Sequence, residues 1–167
     1  MEKTKKEIEE LLTIIPRNYP IMDIYHLTDN CDALCDALHD LCQELGYHYD
    51  LMINSQKNYE YLKENRHLSP RKFEVKKQRY NVQSRTYDFV FVFIDLESIE
   101  NKELFYKKIY AISKNAGKVL FFIPNDADIR KLEDTLIVHN YVATNQIEDV
   151  FEDYQVLSAQ KMHGWDN

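Results

Sequence analysis

Tyr87-Asp88-Phe89-Val90-Phe91-Val92-Phe93-Ile94 is a near-continuous aromatic and β-branched run, the pattern of a strand covered on both faces within a parallel sheet. Its strictly apolar part, residues 89–94, falls far short of the roughly 20 residues that cross a bilayer. It therefore reads as a central strand of a buried sheet. Downstream, residues 102–114 set Leu104, Phe105, Ile109 and Ile112 on one helical face and end at Asn115-Ala116-Gly117. Residues 118–123 form a second buried strand, stopped by Pro124-Asn125-Asp126. Residues 127–139 read as a helix with Asp126 as its cap. Residues 141–148 and 154–161 are strands joined by the acidic turn Asp149-Val150-Phe151-Glu152-Asp153, close enough to pair as an antiparallel hairpin.

Upstream of the central run, residues 2–15 carry Ile8, Leu11, Leu12 and Ile15 at three- and four-residue steps, an amphipathic helix closed by Pro16. Residues 20–27 read as a strand feeding the turn Thr28-Asp29-Asn30. A helix over 31–45 follows, with Asp29 or Asn30 as its cap and Gly46 as its stop. Residues 47–53 suit a strand, 58–65 a short helix and 73–82 a mostly exposed strand. Such alternation predicts an α/β three-layer sandwich: a mostly parallel twisted sheet with helices on both faces and an antiparallel C-terminal hairpin. At 167 residues and 44% hydrophobic content, residues 1–167 fit one domain with 1–16 as its N-terminal helix.

Composition narrows the function. The chain has 28 acids against 21 bases and a formal charge of −7, so as a whole it is not built to coat nucleic acid. Glycine occurs three times, at Gly46, Gly117 and Gly164, which leaves no glycine-rich phosphate or dinucleotide loop of standard form. The charged first residues lack the apolar core of an export signal. Cys31, Cys35 and Cys42 recur at helical spacing beside Leu34, Leu38 and Leu45, as free thiols filling a core. A metal reading of that stripe would recruit His39, but no second cysteine pair completes a structural zinc site, and no metal is expected. Reduced thiols without an export signal point to the cytoplasm.

The second half resembles the end of a class I S-adenosylmethionine-dependent methyltransferase, a Rossmann-like superfamily. The resemblance rests on Tyr87-Asp88-Phe89-Val90-Phe91-Val92 as the fourth strand and Gly117-Lys118-Val119-Leu120-Phe121-Phe122-Ile123-Pro124 as the fifth. The closing hairpin, Asn140-Tyr141-Val142 through Asp153-Tyr154-Gln155-Val156-Leu157-Ser158-Ala159-Gln160-Lys161, completes it. It implies a last strand running antiparallel between its neighbours. In the first half, Ile21-Met22-Asp23-Ile24 fits the opening of the family's first strand, yet Tyr25, Leu27 and Asp29 stand where that family has three glycines. Glycines there let the backbone approach the cofactor closely; the resemblance thus implies a degenerate member whose cofactor space is filled by side chains. The acid that would take the ribose hydroxyls at the end of the second strand is replaced by Ile53 or Asn54, and the third-strand end falls near Gln78-Arg79-Tyr80.

The candidate site residues follow. Asp95 and His26 are the catalytic candidates: Asp95 ends the central strand, where open parallel sheets bind ligands, and His26 is a proton-transfer group beside the first strand's end. Their bland readings are a cap shared with Glu97 and a packing histidine. Asp23, Tyr25, Asn54 and Asp95 are the cofactor-contact candidates implied by the resemblance. Between Lys63 and Arg85 stand eight bases and two acids, and Arg66, Arg71, Lys72, Lys76, Lys77, Arg79 and Arg85 are the candidates for a local RNA or DNA contact or an acidic partner. A solvated, lysine-guarded edge strand is the alternative. The aromatic content suits a protein partner or a homodimer. The leading expectation is a methyltransferase-like domain that has lost S-adenosylmethionine catalysis, needs no cofactor, and serves as a binding or regulatory module. The alternatives are an active S-adenosylmethionine-dependent methyltransferase with an atypical pocket acting on RNA or protein, and a small nucleic-acid-binding protein using residues 63–85. No membrane association is expected.

Overall fold

The computed structural model describes residues 4–75 and 86–162. Seven strands form one sheet in the order β3-β2-β1-β4-β5-β7-β6. They are β1 (Asp23–Thr28), β2 (His48–Ile53), β3 (Arg71–Lys72), β4 (Tyr87–Phe93), β5 (Ser113–Pro124), β6 (Tyr141–Ile147) and β7 (Tyr154–Lys161). The first five are parallel to one another, and β7 lies antiparallel between β5 and β6. The order reverses between β1 and β4, which makes their carboxyl ends the switch point at which ligands enter such sheets.

Side-chain alternation divides the core into two layers. Ile24, Phe89, Phe91, Leu120 and Phe122 face helices α1 (Lys5–Leu12) and α2 (Ala33–Leu45), which bury Ile8, Leu11, Leu34 and Leu38 against them. A satellite of this layer packs Tyr59 and Leu62 of α3 (Gln56–Leu62) on Cys35, Leu51 and Ile53. On the opposite face, Tyr25, Leu27, Val90, Val92, Val119 and Phe121 meet Phe105, Tyr106 and Ile109 of α4 (Lys102–Ile112) and Leu132 and Leu136 of α5 (Ile129–Val138). Phe105 and Tyr106 thus both enter the core, whereas Tyr59 is half-buried and Tyr61 is 85% exposed.

Several boundaries differ from the sequence reading, each for a local reason. The first strand begins later, at Asp23, and runs through Thr28, because a parallel partner on each side continues its ladder to that residue. Helix α2 is capped by Asp32, whose carboxylate accepts from Leu34 N at 2.9 Å; Asp29 and Asn30 are thereby left in the preceding loop. Asp128, not Asp126, caps α5 through Arg130 N and Lys131 N. The strand expected over 73–82 lies upstream instead, where Arg71 and Lys72 pair with β2, although Phe73 N still donates to Ile53 O at 2.9 Å; residues 76–82 lie outside the described residues. β5 begins at Ser113, which pairs with Tyr87, and the register then shifts so that Lys118 faces Phe89. Asn115-Ala116-Gly117 is that bulge rather than a free helix end, with Ala116 at φ 64°.

At the amino end of the sheet, Lys114 Nζ reaches Asp88 at 2.9 Å and Asp23 at 3.3 Å, and His48 Nδ1 lies 2.7 Å from Asp23. Burial opposes the Lys114 charge, but the two carboxylates outweigh it and hold its pKa above the ordinary lysine value.

Candidate functional site

A crevice of about 560 Å³ opens at the carboxyl ends of β1, β4 and β5. Its rim is the loop Thr28-Asp29-Asn30-Cys31-Asp32, and Asp95 and Pro124 close the far side. The floor is aromatic. Phe93 stacks on Phe122 at 5.0 Å, and Tyr154 meets Phe93 edge-on at 4.6 Å. Gln155 fixes the wall after β5, its amide nitrogen lying 3.0 to 3.1 Å from the carbonyls of Pro124, Asn125 and Ala127.

Asp29 ties this rim together. Its backbone carbonyl accepts from the Asn58 side chain at 2.7 Å, one carboxylate oxygen accepts from Asn54 Nδ2 at 3.3 Å, and the other accepts from Asp95 N at 3.3 Å. One half-buried side chain thus bridges the loops that follow β1, β2 and β4. Beyond the bridge lies a second hollow of about 870 Å³, lined by Asn54, Lys72, Phe73, Glu74 and residues 98–101. Lys72 Nζ donates to the carbonyls of Asn54 and Phe73, at 2.7 Å each.

The expected site residues scatter along the sheet. Asn54 and Asp95 are brought together by Asp29, Asp95 on the crevice and Asn54 on the second hollow. Asp95 also caps the 3-10 turn Leu96–Ser98 by accepting from Glu97 N at 3.1 Å. Tyr25 and His26 lie inside β1, buried, and not at its carboxyl end. Tyr25 packs on Tyr87 at 4.9 Å and Leu27 lies in the same core layer, so neither side chain lines the crevice; the strand continues to Thr28, past the positions at which the resemblance set the glycine loop. His26 sits on the other layer, with Nδ1 2.8 Å from the Tyr49 hydroxyl and 4.0 Å from Cys35 Sγ. Asp23 is at the opposite end of the sheet, in the Lys114 ion cluster. Among the basic candidates, Arg71 pairs with Asp50 at 2.8 Å, Lys72 is engaged as above, and Arg66 is exposed; Lys76, Lys77, Arg79 and Arg85 lie outside the described residues.

Two residues at these hollows were not among the expected site residues, and one of them, Cys31, was read as core. Because β3 ends at Lys72, the acid just past the third strand is Glu74, which lines the second hollow; Gln78-Arg79-Tyr80, the expected position, lies outside the described residues. Cys31 precedes the α2 cap and lines the crevice, half-buried, while Cys35 and Cys42 are buried. A hydrogen bond with Cys35 lowers the Cys31 pKa against the opposing effects of burial and of Asp32 and Asp36. Burial pushes Cys42 up to about 12.

Strand order, the switch point and the inserted antiparallel last strand define the class: this is the fold of class I S-adenosylmethionine-dependent methyltransferases. Solved structures bear the likeness out. The methyltransferase domain of the citrinin polyketide synthase superposes with a TM-score of 0.70 at 10% identity, over 94% of this chain and 51% of that one. A methyltransferase from Pyrococcus furiosus gives 0.60 at 15% identity, over 93% and 83%. A Burkholderia thailandensis 1,6-didemethyltoxoflavin-N1-methyltransferase, solved with S-adenosylhomocysteine, gives 0.62 at 10% identity, over 95% and 77%. The chain spans about half the length of the first of these. No protein-family model and no curated protein matches it. Among the described residues, no helix is long and apolar enough to cross a membrane.

Proposed function

We propose that this chain is a methyltransferase-fold binding or regulatory module that has lost S-adenosylmethionine catalysis. The Asp29 bridge carries the reading. In this fold the loop after the first strand uses glycine so that a nucleoside cofactor can lie against bare backbone, reaching toward the end of the second strand. Here a carboxylate spans that path and is hydrogen-bonded to both banks, at Asn54 and Asp95. The residues as arranged do not fit the cofactor. The same reading treats the chain as one cytoplasmic domain, in keeping with its three free thiols. Calorimetric titration with S-adenosylmethionine and S-adenosylhomocysteine tests it: no binding is expected up to about a millimolar, and micromolar binding overturns it.

One observation favours a second reading, an active transferase with an atypical pocket acting on RNA or protein. Hollows remain open on both sides of the bridge, Glu74 and Asn54 share one of them, and both Asp29 side-chain bonds are long, at 3.3 Å. In that case Asp95→Ala abolishes methyl transfer while the fold persists, and unchanged turnover removes Asp95 from the reaction.

A further inference from the structure

We propose that His39, Asp40 and His67 form a binding site for a divalent transition metal of the zinc type, joining α2 to the turn after α3. One ligand atom from each residue lies within 4.8 Å of the other two. His39 Nδ1 and Asp40 Oδ1 stand 3.2 Å apart, close to the roughly 3.3 Å that separates two ligands placed about 2.0 Å from a tetrahedral zinc. Small rotations of His67 and Asp40, both exposed, complete the approach.

The site is partly built before any ion arrives. The His39 side chain is 19% exposed. It is held between the Tyr49 ring, 6.5 Å away and edge-on, and the His67 ring at 4.2 Å. Tyr49 is in turn anchored by its hydroxyl to His26 at 2.8 Å. His67 rides on a fixed turn. Asn65 accepts from Leu68 N at 3.0 Å through its side chain and from Ser69 N at 2.9 Å through its carbonyl, and Leu68 is buried beneath. Such support orients imidazole ligands and lowers the ordering cost of binding. The exposed face of α2 repeats Asp36, Asp40 and Glu44 at four-residue steps, a field that attracts a cation.

Two imidazoles and one carboxylate suit zinc, nickel or copper better than calcium or magnesium, which favour all-oxygen shells. They leave at least one coordination position to water. His39 thus finds its partner across the fold in His67, and the cysteines are not needed: Cys35 and Cys42 are buried in the core.

The test is titration of the chelator-treated full chain with Zn²⁺ by calorimetry and with Co²⁺ by absorption, for the unaltered chain, His67→Ala and Asp40→Ala. The expected result is one metal per chain, with affinity lowered at least tenfold in each variant while the metal-free thermal midpoint stays unchanged. Because both altered side chains are exposed, loss of binding is not a folding artefact. Absence of binding by the unaltered chain overturns the proposal, as does equal affinity in His67→Ala. A thiolate-to-cobalt charge-transfer band would move the metal to Cys31 and overturn it too.

Discussion

Gly117 sits where the β4–β5 bulge brings the backbone of Lys114 and Tyr87 against it. A Cβ on it would lie 2.8 Å from the Lys114 carbonyl oxygen and 2.9 Å from that of Tyr87, both fixed main-chain atoms. Gly117→Ala is therefore expected to destabilise the fold by about 1–3 kcal/mol, read as a lower denaturant midpoint; an unchanged midpoint would mean that the bulge yields freely. The thiols give a second test at this scale. The fold favours the Cys31 thiolate, so this group adds stability above the ordinary thiol pKa, an increment lost as pH falls through its lowered value. Cys42, raised to about 12, and Cys35, raised by its bond with Cys31 and by burial, stay protonated. Mild alkylation near pH 8 followed by mass spectrometry should label Cys31 first; equal labelling of Cys42 contradicts this.

Helix α2 is the element that shapes the crevice, because its cap holds one end of the rim loop. Asp32→Ala removes the acceptor for Leu34 N and is expected to cost at least about 1 kcal/mol, measurable as a drop in thermal midpoint. The same carboxylate lies close enough to Tyr154 to help raise the tyrosine pKa, after burial and Asp153. Elements such as this were only partly legible in the sequence. The helical period of residues 31–45 and the glycine after them marked this helix, and the structure shows Gly46 as its left-handed stop, φ 74°; but Asp29, Asn30 and Asp32 are all competent caps. Which one serves depends on where β1 ends, and that is set by its neighbours β2 and β4. The early start of β5 is of the same kind, since Ser113 becomes strand only by pairing with Tyr87.

At the scale of the whole molecule, the mostly parallel sheet and the central place of 87–94 were readable because buried strands need such runs and because β-α alternation permits few topologies, while the place of the last strand between its neighbours came from the resemblance. The site was less readable, since it depends on which side chain stands at the carboxyl end of each strand. The resemblance set the glycine positions from Tyr25 onward, whereas β1 continues to Thr28; that placement exchanges Tyr25 and Leu27, which are core, for Asp29, which is rim. Glu74 escaped notice for the same reason, through the early end of β3. In the function proposed above, Asp29 closes the path of a nucleoside across β1, β2 and β4, and a crystal structure grown with saturating S-adenosylhomocysteine puts that to the test. Asp29 is expected to remain bonded to Asn54 and the Asp95 amide, with no nucleoside beside them. A nucleoside lodged between Asn54 and the loop after β1, with the Asp29 carboxylate swung aside, would contradict it.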